Sequence, residues 1–146
     1  MKYSIFFLLT LPFGLSMQGC VISSGSGDDD EMEERVFDGS AKDEVVDSNE
    51  KYNFSLMGGS NKITLQGDVH ELFISGSHNY VVIEEDTYLE NIIITGLHNI
   101  VVQEEDLKTI IESIEIVGDN NFIEVSQYNE LIDAGSDNQI LMTDTN

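Results

Sequence analysis

Ile92-Ile93-Ile94-Thr95-Gly96-Leu97-His98-Asn99-Ile100-Val101 decides how this chain folds. Alternate apolar residues, Ile92 and Ile94, lead to a glycine, an asparagine follows three places later, and alternation resumes at Val101. One such Gly-x-x-Asn carries no information. Four more stand in register with it: Phe54, Leu56, Gly58, Asn61, Ile63; Leu72, Ile74, Gly76, Asn79, Val81; Ile114, Ile116, Gly118, Asn121, Ile123; and Leu131, Asp133, Gly135, Asn138, Ile140. The glycines are spaced by 18, 20, 22 and 17 residues, about one solenoid coil. Repetition at such a period predicts stacked supersecondary units, each too small to bury its own apolar face.

Each unit reads as strand, Gly-Asn corner, strand, loop. A glycine is expected to take positive φ at the sharp corner. The asparagine amide is expected to pair with its counterpart one coil away, about 4.8 Å distant, as a hydrogen-bonded ladder. Stacking then defines inward columns. Phe54, Leu72, Ile92, Ile114 and Leu131 form one, and Leu56, Ile74, Ile94, Ile116 and Asp133 a second. After the corner come Ile63, Val81, Val101, Ile123 and Ile140, then Leu65, Ile83, Gln103, Val125 and Met142. Val69, Leu89, Ile111 and Tyr128 form a weaker fifth column, three residues before each first strand. Only Gln103 and Asp133 break the four main columns, so these segments share one dry interior. Asp133 belongs to the last coil and is expected to charge an open end against coil-upon-coil aggregation. Leu107 to Ser113 are compatible with a short helix or with a third strand.

The fold expected is all-β: a small single-stranded parallel β-helix of about five coils, right-handed, spanning residues 51–146. The block from Tyr52 to Met142 resembles an uncharacterised bacterial family of short Gly-Asn repeat domains, found on secreted or lipid-anchored proteins. The resemblance rests on Gly58/Asn61, Gly76/Asn79, Gly96/Asn99, Gly118/Asn121 and Gly135/Asn138, and implies a parallel solenoid with no known activity.

The N-terminus has a different grammar. Lys2 precedes the apolar run Ile5 to Leu11, and Gly14 to Gly19 lead through small or uncharged residues into Cys20. This is the layout of an export signal, too short for a spanning helix. It resembles a bacterial lipoprotein signal, in which the cysteine is lipidated and becomes the new N-terminus. That resemblance implies residues 1–19 as signal peptide, palmitate-type acylation of Cys20, and attachment to a membrane by more than one acyl chain. Val21 after the cysteine resembles the outer-membrane sorting class, which implies the bacterial envelope, facing periplasm or surface. Residues 20–50 are rich in Ser, Gly and acid, including Asp28-Asp29-Asp30-Glu31, and are expected to be a disordered acidic tether.

Composition excludes several functions. The 146 residues leave room for one domain. A net charge of −22, from 6 basic and 28 acidic residues, repels nucleic acid. A single cysteine excludes an internal disulfide and a cysteine-only zinc site. No nucleophile stands beside a histidine and a carboxylate at a recognisable spacing, no phosphate loop occurs, and neither catalysis nor a cofactor is expected.

Three constellations remain as candidates. Glu84, Glu85 and Asp86 recur in register as Glu104, Glu105 and Asp106, stacked carboxylates that a hard cation such as calcium would relieve. They lack a calcium-loop pattern, so they are weak metal candidates. His78 and His98 share a repeat position and are placed to meet a common transition metal. Tyr80, Val82, Ile100, Val102 and Phe122 should form an outward apolar patch, open to a partner or covered by Val36-Phe37 or Val45-Val46. The function expected is therefore a non-catalytic structural or interaction module of the envelope, its partners the membrane and a protein or glycan. The alternative is a cation-dependent adhesin or carbohydrate-binding module.

Overall fold

The computed structural model describes residues 20–23, 32–104 and 109–143. Among them every regular element is a strand, as the β-branched repeats require. A short strand, β1 (Cys20–Ser23), precedes six strand pairs, one pair per coil. They are β2 (Glu33–Ser40) with β3 (Asp43–Val46), β4 (Tyr52–Gly59) with β5 (Lys62–Leu65), and β6 (Asp68–Ile74) with β7 (Tyr80–Ile83). Then come β8 (Tyr88–Ile94) with β9 (Ile100–Gln103), β10 (Ile110–Ile116) with β11 (Phe122–Val125), and β12 (Gln127–Asp133) with β13 (Gln139–Met142). First strands stack in a seven-stranded sheet in the order β1-β2-β4-β6-β8-β10-β12, and second strands in a six-stranded sheet, β3 to β13. All coil-to-coil pairings are parallel, and only β1 joins antiparallel. The chain is a parallel β-solenoid.

Registers place the inward columns where the repeat put them: Leu72 lies beside Ile92, Ile74 beside Ile94, and Val81 beside Val101. Phe54, Leu56, Ile63, Leu65, Leu72, Ile74, Val81, Ile83, Ile92, Ile94, Val101, Ile114, Ile116, Ile123 and Val125 are all buried in one core. Burial of each contributes roughly 1.5–3 kcal/mol, against the entropy of ordering. Val69, Leu89 and Ile111 join them, and Tyr52 heads their column. Two outward residues separate Val69 from Leu72 where strict alternation allows one. The first strand therefore bends at His70 and Glu90, turning one long strand into two sides of the coil.

The corners hold asparagine as expected and glycine for another reason. The left-handed backbone falls on the residue before each asparagine, at Ser60, His78, His98, Asn120 and Asp137 (φ 54 to 59°), and of the five repeat glycines only Gly58 has positive φ, at 109°. What requires glycine is close approach. A Cβ on Gly76 would lie 1.7 Å from the carbonyl oxygen of Gly58, and one on Gly96 1.8 Å from that of Gly76. Each glycine packs its Cα on the carbonyl below.

That same carbonyl accepts from the asparagine of the coil above: Asn99 Nδ2 donates to Gly76 O at 3.0 Å. Asn99 Nδ2 also donates to Asn121 Oδ1 at 3.2 Å, and Asn99 Oδ1 accepts from the backbone N (3.0 Å) and Nδ2 (3.1 Å) of Asn79. The pattern runs from Asn61 to Asn138. Asn61, Asn79, Asn99 and Asn121 are buried, and the ladder satisfies polar groups that water cannot reach.

The coil number and the tether require correction. Residues 33–46, assigned to the disordered tether of 20–50, form a sixth coil, with Phe37 beside Leu56 and Val46 beside Leu65. Its repeat is disguised: Arg35 replaces the first apolar residue, Lys42 the asparagine, and Glu44 the residue after the corner, while Gly39 remains. These are end-of-stack substitutions. Arg35 lies over the Tyr52 ring, 5.2 Å from its centroid, and bonds the Asp47 carbonyl and Glu33. Lys42 needs no amide of its own, because its backbone N donates to Asn61 Oδ1 at 3.2 Å. Residues 1–19, the expected signal, and the acidic run 28–31 lie outside the described residues.

At the other end Asp133 terminates the ladder. Its Oδ1 accepts from Asn138 Nδ2 at 2.8 Å and from Gly135 N at 3.0 Å, replacing the amide that a seventh coil would supply. Of the loop left open between helix and strand, Ile110 onward is strand β10, and residues 105–108 lie outside the described residues.

Candidate interaction surfaces

The outer face of the six-stranded sheet brings the predicted patch together. Register aligns Lys62, Tyr80, Ile100, Phe122 and Gln139 in one column, and Val45, Thr64, Val82, Val102, Glu124 and Leu141 in the next. Tyr80 and Ile100 are each 38% exposed, and Val82, Val102 and Phe122 are half-buried by one another. The result is an apolar stripe, two side-chain columns across and three coils tall, bounded by Lys62 and Glu124. Val36-Phe37 and Val45-Val46 do not cover it. Phe37 and Val46 are spent in the core, and Val45, 61% exposed, stands in the second column with Thr64 between it and Val82.

Along the loop edge the acidic rows are bonded within the protein. Glu84 accepts from Gln66 Nε2, and Glu104 Oε2 accepts from the backbone N of Glu85 at 3.4 Å. Asp86 takes the left-handed conformation, φ 67°, in the turn. Glu105 and Asp106 lie outside the described residues. Among the described residues no group of three or more His, Cys, Asp or Glu is placed to hold a metal ion.

His78 and His98 do meet, as stacked rings 4.9 Å apart between centroids and 10° from parallel. Imidazole lone pairs lie in the ring plane, so two parallel rings do not aim at a common ion. The pair is a surface stack at adjoining corners.

Residues 56–113 match the model of a family described as proteins of unknown function, DUF3060. The matched span starts at Leu56 and ends within β10, and so takes in the Gly58, Gly76 and Gly96 corners and the whole apolar stripe except Phe122. No curated protein and no solved structure matches the chain. The DUF3060 similarity therefore brings no substrate, ligand or partner with it.

One cluster escaped the sequence reading. At the bend of the first strands, Glu90 bonds Lys51 from two coils below through Oε1, and Oε2 lies 2.5 Å from His70 Nδ1. The Lys51 hydrogen bond, and then that of His70, hold the Glu90 carboxyl below its usual range despite its partial burial. The clue was available: His70 and Glu90 share a repeat position 20 residues apart, as Glu84 and Glu104 do. The cluster ties three coils together at an outer edge.

Cys20 opens β1, whose backbone pairs with β2 in the register Cys20 to Asp38 and Ser23 to Arg35. Its strand pairs with the edge of β2 and becomes the N-terminal edge of the seven-stranded sheet, while β3 is that of the six-stranded sheet.

Proposed function

We propose that this chain is a bacterial envelope lipoprotein, held to the membrane by acylated Cys20, whose solenoid is a non-catalytic structural or interaction module. The partner surface is the stripe of Tyr80, Val82, Ile100, Val102 and Phe122. Support for the partner surface comes from that stripe: it is apolar and uncovered by the described residues, on a chain whose net charge is −22. A strongly acidic surface is well solvated, and leaving large side chains in water on one face is the usual mark of a contact site. The reading places the protein at the outer membrane and gives it a protein or glycan as partner.

A cation-dependent adhesin is the second reading, and it has less support. Glu84 and Glu104 already accept hydrogen bonds from Gln66 and Glu85.

Two measurements test the proposal. Metabolic labelling with palmitate should mark the expressed protein and be lost in Cys20→Ser, and labelling that persists in that variant removes the anchor. Surface cross-linking in intact envelope should be lost when Tyr80, Ile100 and Phe122 are changed together to Ser, Thr and Ser. Cross-linking that survives with the fold intact rejects the stripe.

A further inference from the structure

The two ends of the solenoid are unlike, and the difference bears on what the module accepts. At the N-terminal end β1 pairs with β2, and Arg35, Lys42, Asp43 and Glu44 clothe the first coil. At the C-terminal end β12 and β13 are the edge strands of both sheets, with nothing beyond them among the described residues. The interior columns surface there: Leu131 is 37% exposed and Met142 55%, with Tyr128 and Ile140 only partly buried. Ile132 (50%) and Leu141 (49%) flank them on the outer faces. An edge strand carries unpaired N–H and C=O groups and accepts another strand by β-augmentation.

Charge selects the occupant. Glu130, Asp133 and Asp137 are exposed on this last coil, and residues 109–143 contain no Lys or Arg. A second copy stacked end to end in the same sense meets β1 on one sheet and β3 on the other, where the exposed Glu44 stands in the inward column and would be set over Ile140. A second copy turned face to face sets Glu130, Asp133 and Asp137 against their own counterparts. We infer that the open end instead takes an extended, basic and amphipathic segment of another protein, which adds as a strand to β12 or β13. On β12 its apolar side chain covers Leu131 as a seventh coil would and its basic side chains face Glu130 and Asp133; on β13 its apolar side chains cover Ile140 and Met142. Asp133 Oδ1 holds Asn138 and Gly135, which leaves its second oxygen for an incoming guanidinium or ammonium.

The inference deepens the interaction-module reading and is independent of Cys20 acylation and of the stripe. Its test is a backbone-amide NMR titration of the full chain in detergent. The probe is a ten-residue peptide with the core Lys-Ile-Val-Arg, and the control has the core Glu-Ile-Val-Glu. Expected are shifts confined to residues 127–143, slower hydrogen exchange of β12 or β13 amides, weakening with salt, and no response to the control. Glu130→Lys combined with Asp137→Lys, both exposed, should keep the fold and weaken the peptide at least tenfold. Absence of shifts at millimolar peptide, unchanged affinity in the double variant, or shifts centred on Tyr80 to Phe122 overturn the inference, the last leaving the module reading intact. Sedimentation showing a concentration-dependent dimer that protects the same amides overturns it in favour of a second copy.

Discussion

Asn99 Oδ1 accepts two hydrogen bonds from Asn79, one from its backbone N at 3.0 Å and one from its Nδ2 at 3.1 Å. Asn99→Ala leaves the Asn79 backbone N without its acceptor and takes one of two partners from Asn79 Nδ2 and from the Gly76 carbonyl, in a site closed to water. A buried unsatisfied group costs about 1–3 kcal/mol, so the variant should lose about 2–4 kcal/mol in urea unfolding. Asn138→Ala, partly exposed at the last coil, should lose less than half as much.

The glycine column makes a steeper demand. Gly96→Ala puts a methyl 1.8 Å from the Gly76 carbonyl, backbone against backbone, with no side chain to move aside. The expected cost is about 3 kcal/mol or more, read as a fall in thermal midpoint. Gly39→Ala meets the Phe37 ring at 3.1 Å and the Lys42 side chain at 3.9 Å, with no backbone in the way, and should be tolerated far better.

Tyr52 gives the chain an alkaline limit. Its hydroxyl donates to the Gln66 carbonyl at 2.8 Å, and burial pushes the phenol up to about 12. The unfolded phenol titrates near ~10. The folded state thus holds this proton more tightly, and the stability it contributes is complete below about pH 10 and lost as pH rises toward 12. Spectrophotometric titration should show one late tyrosine, and Tyr52→Phe should flatten the fall in stability over that window.

Removing residues 20–50 should expose the core, because the first coil covers Tyr52, Phe54 and Ile63 rather than the outer stripe. Expected are aggregation and binding of an apolar dye. Restoring residues 33–50 alone should reverse both.

How far the sequence carried these conclusions depended on where in the stack a residue sits. Interior coils have identical neighbours above and below, so Leu72, Ile92 and Ile114 answer one environment and the period shows plainly. The first coil has another coil on one side only. Arg35, Lys42 and Glu44 are free to be polar at the very positions by which a repeat is recognised, which hid Glu33–Ser40 in an acidic segment. Asp133 was visible as an intruder, but its part in closing the amide ladder needed the contact with Asn138. The patch was legible because strand alternation assigns faces directly. The glycine role was misassigned because a positive φ and a close approach leave the same mark in a sequence. Spacing alone pairs His70 with Glu90, but Lys51 joins them by reaching past one coil to the next, which no single period reveals.

The glycine–asparagine corner has a consequence for how such a chain changes length. Every interior rung offers the same seat to the rung above, so excising residues 76–95 would set Asn61 directly beneath Asn99 and leave each aliphatic file unbroken. Duplication and loss by whole periods are thus mechanically neutral, and each event moves one tip of the rod relative to the other by about 4.8 Å. Height becomes a quantity that inheritance adjusts in equal steps.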